Sequence, residues 1–192
     1  MEAIRDRFWT YEEYLKLPDD GKRYEIIDGV LYVSPSPRTA HQMLVGSLHL
    51  ALSHLQAAGQ GFALVAPLDV CMPGTDPVQP DLMFIGADQR SILKRKHIEG
   101  VPTLLVEVLS PTSARLDRVI KLNKYASCGV PHYWIGDPRQ RTLEILRLRG
   151  ANYDVLAALG PGDRFEHPDF PGLTLDIDAL FATLPPELEE ED

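Results

Sequence analysis

The chain has 192 residues, 44% of them hydrophobic, which is enough for one domain with a substantial core and tight for two. No apolar run approaches the roughly 20 residues of a membrane-spanning helix, and the charged N-terminus MEAIRDRFW does not resemble a secretion signal, so we expect a cytoplasmic protein without membrane segments. The two cysteines, Cys71 and Cys128, lack CxxC spacing, which argues against a disulfide framework and a cysteine-rich zinc site.

The formal net charge of −9 argues against a nucleic-acid partner, because phosphate binding draws on clustered Lys and Arg. The charge is unevenly distributed, however. Five acids lie in the last six residues, ELEEED, whereas eight bases face only three acids between Arg90 and Lys124. That basic stretch either attracts a polyanion or consists of scattered surface charges on a helix and a loop.

The N-terminal segment predicts a short helix followed by a hairpin. In FWTYEEYLKLP, Thr10 and Glu13 have the spacing of a capping box, so a helix should begin at Tyr11 and end before Pro18. Two β-rich runs, KRYEIIDG and VLYVSPSP, then meet around Asp28 and Gly29, a dipeptide typical of tight hairpins.

The middle of the chain predicts a helix, three strands, a helix and a strand. Residues 40–58 place apolar side chains at helical spacing and are closed by Gly59 and Gly61. The segments GFALVAPLDVCMP, DLMFIG and TLLVEVL follow as strands separated by turn-rich sequence. Residues 113–127 predict a second helix, and HYWIGD predicts another strand.

The C-terminal part alternates apolar and polar residues between Gly and Pro breaks, which is typical of edge hairpins and a closing helical turn. No interdomain linker or internal repeat is visible. We therefore predict one α/β domain over residues 1–185 and a disordered acidic tail over residues 186–192.

Three carboxylates stand in predicted strands: Asp81 opens DLMFIG after Pro80, Glu107 lies inside TLLVEVL, and Glu25 lies inside RYEIIDG. An ionised acid buried without a partner is costly, so a buried acid suggests a compensating cation or a chemical role. Asp81 and Glu107 could supply the oxygen ligands of a divalent metal from adjacent strands. Structural alternatives remain: Asp81 could bond nearby amides, Glu107 could reach out from an edge strand, and Glu25 could lie on a solvated face.

Several segments together resemble the Uma-type restriction endonuclease family of the PD-(D/E)XK nuclease superfamily. They are the dipeptide Pro80-Asp81, LVEVLSPTS with Glu107, and DRVIKLNKYASCGVPHYWIGDP. The likeness runs in the same order from FWTYEEYLKLP to GDP at 136–138, about two thirds of the chain. It implies a restriction-endonuclease-like core of helix, three strands, helix and strand, with metal-binding acids at the positions of Asp81 and Glu107.

One position departs from the superfamily motif, which usually has a lysine two residues after the second acid, where this chain has Leu109. Uma-type members resemble each other in a lysine on the next helix, which matches Lys121. The resemblance implies that Lys121 orients or deprotonates the attacking water, and that Glu25 is a third metal-site acid or a group that orients the water. The alternative for Lys121 is an ordinary helix-surface pair with Asp117, four residues earlier.

Four further residues are candidates for contacts with phosphate or with the site: His41, Gln42, Ser110 and Lys124. His41 falls on the apolar side of the first long helix, where a hydrogen-bonded core histidine is the alternative. Ser110 either donates to a site group or caps the following helix. Tyr125 and Trp134 are interpreted as packing residues.

These observations predict an endonuclease that uses Mg²⁺ or Mn²⁺ to hydrolyse phosphodiester bonds, with DNA as the expected substrate and a homodimer or higher homo-oligomer as the expected assembly. Hydrolysis of a smaller phosphodiester is a second enzymatic alternative. From another class, an inert oligomeric binding module with a vestigial metal site remains open, and the acidic charge favours it. The sequence contains no P-loop, GxSxG or HExxH motif, so NTPase, serine hydrolase and zincin readings have no support.

Overall fold

The computed structural model describes residues 2–18, 20, 22–34, 36–111 and 113–185. The first elements in chain order are β1 (Glu2–Ile4), α1 (Tyr11–Tyr14), β2 (Arg23–Ile27) and β3 (Val30–Ser34). The three strands form a small antiparallel sheet with β3 in the middle. Thr10 and Glu13 form the predicted capping box at the start of α1.

The turn between β2 and β3 consists of Asp28 and Gly29, whose φ angles are 52° and 73°. Two consecutive positive φ angles are characteristic of a tight hairpin turn whose twist matches that of the strands. The predicted N-terminal helix and hairpin are therefore confirmed, whereas β1 was not predicted.

The central part of the chain contains one long helix and the strands of the main sheet. Its elements are α2 (Thr39–Ala57), β4 (Gly61–Val65), β5 (Asp69–Cys71), β6 (Leu82–Gly86), a 3₁₀ helix (Ala87–Ile92), β7 (His97–Glu99), β8 (Leu104–Val108), a π-helical segment (Leu116–Lys121), α3 (Leu122–Ser127) and β9 (His132–Asp137). The C-terminal elements are β10 (Thr142–Arg149), β11 (Asn152–Leu159), β12 (Arg164–Glu166), β13 (Thr174–Asp176) and α4 (Ile177–Phe181).

The main sheet has six strands in the spatial order β11, β10, β9, β8, β6, β4. Neighbouring strands are antiparallel except for β8 and β9, which are parallel. Two further pairs lie outside it: β5 with β7 and β12 with β13.

Hydrophobic cores cover both faces of the main sheet. Side chains of successive strand residues point to opposite faces, and β8 shows this clearly: Leu104, Val106 and Val108 join the core formed with α2 and α4. Leu105 and Leu109 join the other core, which contains residues of the π-helical segment and α3. Glu107 lies between these two leucines in sequence and therefore projects toward the second core.

The predicted order of helix, three strands, helix and strand is confirmed in α2, β4, β6, β8, the combined π-helical segment and α3, and β9. Three details differ from expectation. The segment GFALVAPLDVCMP is divided between β4 and β5, which belong to different sheets. β7 was not predicted, and the second helix contains a π-helical stretch instead of regular α-helix throughout.

Within the described part of the chain, no helix combines the length and hydrophobicity that crossing a membrane requires. The predicted acidic tail, residues 186–192, lies outside the described residues. The single domain over residues 1–185 stays a prediction.

Candidate active site

Glu107 lies on β8, and Asp81 immediately precedes the neighbouring antiparallel strand β6, so the two acids lie at the same end of the main sheet. Leu82 of β6 pairs with Val106 of β8, so extending this register by one residue places Asp81 opposite Glu107 and on the same face. Only 4% of Asp81 and 2% of Glu107 is exposed. The two acids singled out in the sequence are therefore both buried and close to each other.

Two contacts fix the Asp81 carboxylate. Its Oδ2 atom accepts a hydrogen bond from the backbone N–H of Val108 at 2.8 Å, and the same oxygen lies 3.1 Å from Nε2 of His41. His41 belongs to the first turn of α2 and is itself buried. The long helix thus positions an acid that lies just before β6, and His41 is part of the site's surroundings as well as of the core.

Lys121 lies at the centre of the acidic cluster, with 1% of its surface exposed. Its Nζ atom is 2.9 Å from Oε1 of Glu107 and 3.0 Å from Oε1 of Glu25. Asp117 Oδ1 lies farther away, at 3.8 Å. Lys121 therefore reaches the Glu107 carboxylate from the neighbouring helix, and its contact with Asp117 lies inside the protein and not on a helix surface.

Two tyrosines hold the helix against this cluster. The hydroxyl of Tyr125 donates to Oε1 of Glu107 at 2.7 Å, and the hydroxyl of Tyr133 donates to the backbone carbonyl of Asp117 at 3.0 Å. Their rings pack edge to face, with centroids 5.0 Å apart. The carbonyl that Tyr133 binds belongs to the π-helical segment, where the regular i to i−4 hydrogen-bond pattern is altered.

Asp117 and Tyr125 belong to this buried cluster, and the sequence does not single them out as candidates. The sequence indicates Asp117 only as an alternative partner of Lys121, and Tyr125 as a packing residue. A signal was present, because Asp117, Lys121 and Tyr125 recur at intervals of four residues and so lie on one side of a helix.

Excess negative charge dominates the electrostatics of the cluster. Burial raises the pKa of Glu107 well above its usual value; the Lys121 ammonium opposes this rise, and the carboxylates of Asp81, Asp117 and Glu25 reinforce it. Burial also raises the pKa of Asp117 to about 6, against the effects of Lys121 and of a hydrogen bond with Ser113. Three buried carboxylates, those of Glu107, Glu25 and Asp117, thus lie around the Lys121 ammonium, and the buried Asp81 adds a fourth negative charge nearby.

Glu25 on β2 is linked to the loop that precedes Asp81. Its Oε1 atom accepts a hydrogen bond from the backbone N–H of Gln79 at 3.0 Å. The side-chain amide of Gln79 donates to Tyr14 and to Asp69, at 2.9 and 2.8 Å. This network connects α1 and β5 to the acidic cluster, and nothing in the sequence pattern had indicated it.

The remaining candidate residues take different positions around the cluster. Lys124 is buried, and its Nζ lies 3.2 Å from Oδ1 of Asp28 in the hairpin turn. Ser110 Oγ accepts from the backbone N–H of Ser113 at 3.2 Å, and Ser113 Oγ accepts from the N–H of Ser110 at 3.0 Å. This reciprocal pair caps the turn that enters the helix. Gln42 is exposed.

A cleft of about 790 Å³ reaches Asp81 from the surface. Its described lining includes His41, Gln42, Gln79 and Asp81, together with aromatic and aliphatic side chains from α1, β2, α2 and the segment after β4. A second cavity of about 240 Å³ is lined in part by His41, Leu109 and Ser110. His41 therefore lies between two cavities.

Few of the described side chains of the cluster are available to bind a divalent metal. Among the described residues, no three His, Cys, Asp or Glu side chains form a complete metal site. Mg²⁺ is nevertheless typically bound by only one or two carboxylates, with waters and substrate phosphate oxygens as the other ligands. The buried pair Asp81 and Glu107, surrounded by excess negative charge, fits that requirement. Glu25 is engaged by Lys121 and by the amide of Gln79.

Comparisons with known proteins found a matching family model and a solved structure of similar fold. A family model described as "Uma2: Putative restriction endonuclease" matches residues 11–178, a range that contains every candidate site residue. Among solved structures, the chain is similar to one described as a putative nuclease belonging to DUF820 from Anabaena variabilis ATCC 29413. The TM-score is 0.73 at 22% identity, over 91% of this chain and 98% of that one, which shows a shared fold. No curated protein matches the chain.

Proposed function

Because the chain belongs to the Uma2 family of putative restriction endonucleases, as its sequence motifs predicted, we propose that it is a divalent-metal-dependent endonuclease that hydrolyses phosphodiester bonds of DNA. One observation carries the proposal. The buried ammonium of Lys121 lies 2.9 Å from Glu107, whose strand neighbour Asp81 lines a cleft open to substrate. An acid pair with an adjacent cation provides both metal ligands and a charged donor for phosphoryl chemistry.

Asp81 and Glu107 are the proposed ligands of Mg²⁺ or Mn²⁺. A divalent ion supplies Lewis-acid polarisation of the phosphoryl group and activation of a water nucleophile. The strands and His41 hold the Asp81 carboxylate in place, while Tyr125 holds that of Glu107. Fixed ligands of this kind reduce the reorganisation that the reaction requires.

Lys121 is the proposed catalytic cation. Its ammonium is held by Glu107 and Glu25, so it can donate hydrogen bonds to the attacking water or to a phosphate oxygen that gains negative charge. Glu25 enters the proposal as the acid that orients Lys121, and its role as a third metal ligand stays a prediction. His41 is proposed to position Asp81, Ser110 to cap the helix that carries Lys121, and Gln42 and Lys124 to contact phosphate.

A plasmid-nicking assay with Mg²⁺ or Mn²⁺ tests the function. The wild-type protein should convert supercoiled plasmid to nicked circles, and EDTA should stop the reaction. Glu107→Gln and Lys121→Met should lower the rate by at least about 1,000-fold, since each removes a charge placed at the reacting group. The matched control is Glu144→Gln, which removes a β10 carboxylate paired with Arg118. Wild-type nicking by Glu107→Gln or Lys121→Met would remove these residues from the mechanism.

An inert binding module on the same fold is the second candidate. The observation that favours it is the pairing of the basic side chains: Lys121 and Lys124 are buried beside carboxylates, Lys94 pairs with Glu99, and Arg118 pairs with Glu144. Calorimetric titration with Mn²⁺ separates the two candidates. Binding that disappears in Asp81→Asn supports the enzyme, whereas no binding to the intact site supports the inert module. The homo-oligomeric state and the cytoplasmic location stay predictions.

A further inference from the structure

We propose that the large cleft beside Asp81 takes unpaired nucleotides, so that the substrate is single-stranded DNA or an unpaired segment of a duplex. The inference rests on the proposed function, because it assumes that Asp81 belongs to the centre that meets the scissile phosphodiester. Three properties of the described residues support it: the burial of the acids, the aromatic and aliphatic lining of the cleft, and the small number of Lys and Arg side chains in that lining.

The first property is the burial of the acidic side chains. Asp81 and His41 line the cleft and are 4% and 8% exposed, while Glu107 and Lys121, which are not among its described lining residues, are 2% and 1% exposed. A phosphodiester must therefore enter the cleft to reach Asp81. The phosphates of B-form DNA lie on the outside of a stiff rod that resists local bending, whereas a single strand can turn a phosphate inward freely.

The second property is the lining. Tyr14 and Tyr24 line the cleft together with aliphatic and proline side chains, namely Leu15, Leu17, Pro18, Pro37, Val45, Val65 and Pro67. A volume of about 790 Å³ lies within the usual range of pockets that enclose a small organic molecule. Aromatic rings against which bases stack are the common feature of sites for unpaired nucleic acid. The lining thus suits nucleobases better than a row of phosphates.

The third property is the small number of Lys and Arg side chains in the described lining of the cleft. Lys22 is the one Lys or Arg among the described lining residues, and its Nζ lies 3.2 Å from Oδ2 of Asp20. Proteins that bind duplex DNA through its backbone use many Lys and Arg contacts and lose affinity steeply with salt. Here the cleft offers few such contacts, so base contacts should contribute much of the affinity and the salt dependence should be shallow.

The test measures binding separately from cleavage. Glu107→Gln protein is titrated with a fluorescent oligothymidylate and with a blunt duplex of the same length, in Ca²⁺ and at several salt concentrations. We expect the single strand to bind at least about tenfold more tightly, with a log–log salt slope of about −1 to −2. Tyr24→Leu in the same background should weaken single-strand binding about tenfold. The matched control Tyr153→Leu, on β11 and outside the described lining of the cleft, should leave binding unchanged.

Cleavage by the wild-type protein in Mn²⁺ is compared on a single-stranded circle, a duplex with a central unpaired bubble and a fully paired duplex. Preference for the circle and the bubble supports the inference. Equal or tighter binding of the blunt duplex, or unchanged binding by Tyr24→Leu, overturns it. If the single strand binds in the cleft but no substrate is cut, the cleft does take unpaired nucleotides and the proposed nuclease function fails. If only the paired duplex is bound and cut, the function stands and the inference fails.

Discussion

Replacing Glu107 by Gln should make the protein more stable at alkaline pH while abolishing its proposed activity. Glu107 is fully surrounded by protein, and burial together with Asp81, Asp117 and Glu25 raises its pKa well above the usual value. The folded protein therefore disfavours the ionised carboxylate. Glutamine has nearly the same shape and no charge, and its side-chain oxygen can still accept from Tyr125 and Lys121.

The expected change in the free energy of unfolding depends on which buried charges each substitution leaves without a partner. After Glu107→Gln, the Lys121 ammonium retains Glu25 at 3.0 Å and Asp117 at 3.8 Å, so no charge loses its last partner. We expect a gain of about 1 to 3 kcal/mol in the free energy of unfolding, because the substitution removes the desolvation cost of one buried charge without leaving the Lys121 ammonium unpaired. Lys121→Met instead leaves buried carboxylates without their central cation. It should cost about 3 to 5 kcal/mol.

The pH dependence has a definite sign. A carboxyl whose pKa is higher in the folded than in the unfolded state binds extra protons on folding, so wild-type stability falls as pH rises through the interval between the two values. Glu107→Gln lacks this contribution. The advantage of the variant should thus be small near pH 4.5 and should grow as the pH rises to 8.

Urea unfolding in EDTA at pH 5 and pH 8 measures the difference, with Glu144→Gln as the control for loss of a carboxylate elsewhere. Adding Mn²⁺ should shrink the advantage of the variant, because an ion that binds the native wild-type site stabilises it by mass action. A variant that is less stable than wild type at pH 8, or that keeps the wild-type pH dependence, would refute the electrostatic reasoning.

Three further predictions concern residues around the cluster. Tyr125→Phe removes a donor to Glu107 and should lower the nicking rate about 10- to 100-fold and shift the acidic limb of the pH–rate profile upward. Tyr153→Phe loses only a hydrogen bond to the backbone carbonyl of Val130, in the loop before β9, and should leave the profile unchanged. His41→Ala should weaken Mn²⁺ binding about tenfold in calorimetry, because Asp81 loses its Nε2 contact; His54→Ala, at an exposed position of the same helix, should bind normally, and equal affinity of the two variants would contradict the positioning role of His41. Burial and the neighbouring His132 lower the pKa of His167 to about 4, so the folded protein disfavours the protonated imidazole. The free energy of unfolding should therefore fall by about 2 kcal/mol as the pH is lowered from 7 to 5. His167→Phe should abolish this loss in urea unfolding, and an unchanged loss would assign it to other groups.

Local sequence was sufficient for the elements that carry the site. Thr10 and Glu13 specify the start of α1 through contacts within one turn, and Asp28 and Gly29 specify the hairpin because they tolerate positive φ angles. The apolar run around Glu107 predicted β8, and the placement of a charged residue in it marked the position that the structure shows to be buried.

Contacts between segments that are distant in the chain could not be predicted from local sequence patterns. The bond from Tyr125 to Glu107, the contact of His41 with Asp81 and the link between Gln79 and Glu25 join residues 18, 40 and 54 positions apart. No periodicity relates such positions, because their geometry depends on how α2, β2 and the second helix pack on the sheet. The π-helical turn is similar, since it depends on tertiary partners such as Tyr133.

The sequence by itself indicated candidates for the centre: the acids Asp81 and Glu107 in predicted strands and, through the family resemblance, Lys121 on the helix that follows. Spacing along the chain fixes which face of a strand or helix a side chain occupies. Only the tertiary structure decided that the Lys121 ammonium lies 2.9 Å from Glu107, and that Glu25, Asp117 and Tyr125 complete its surroundings. Those distances follow from the packing of separate elements, and the burial that this packing produces is what perturbs the charges of the site.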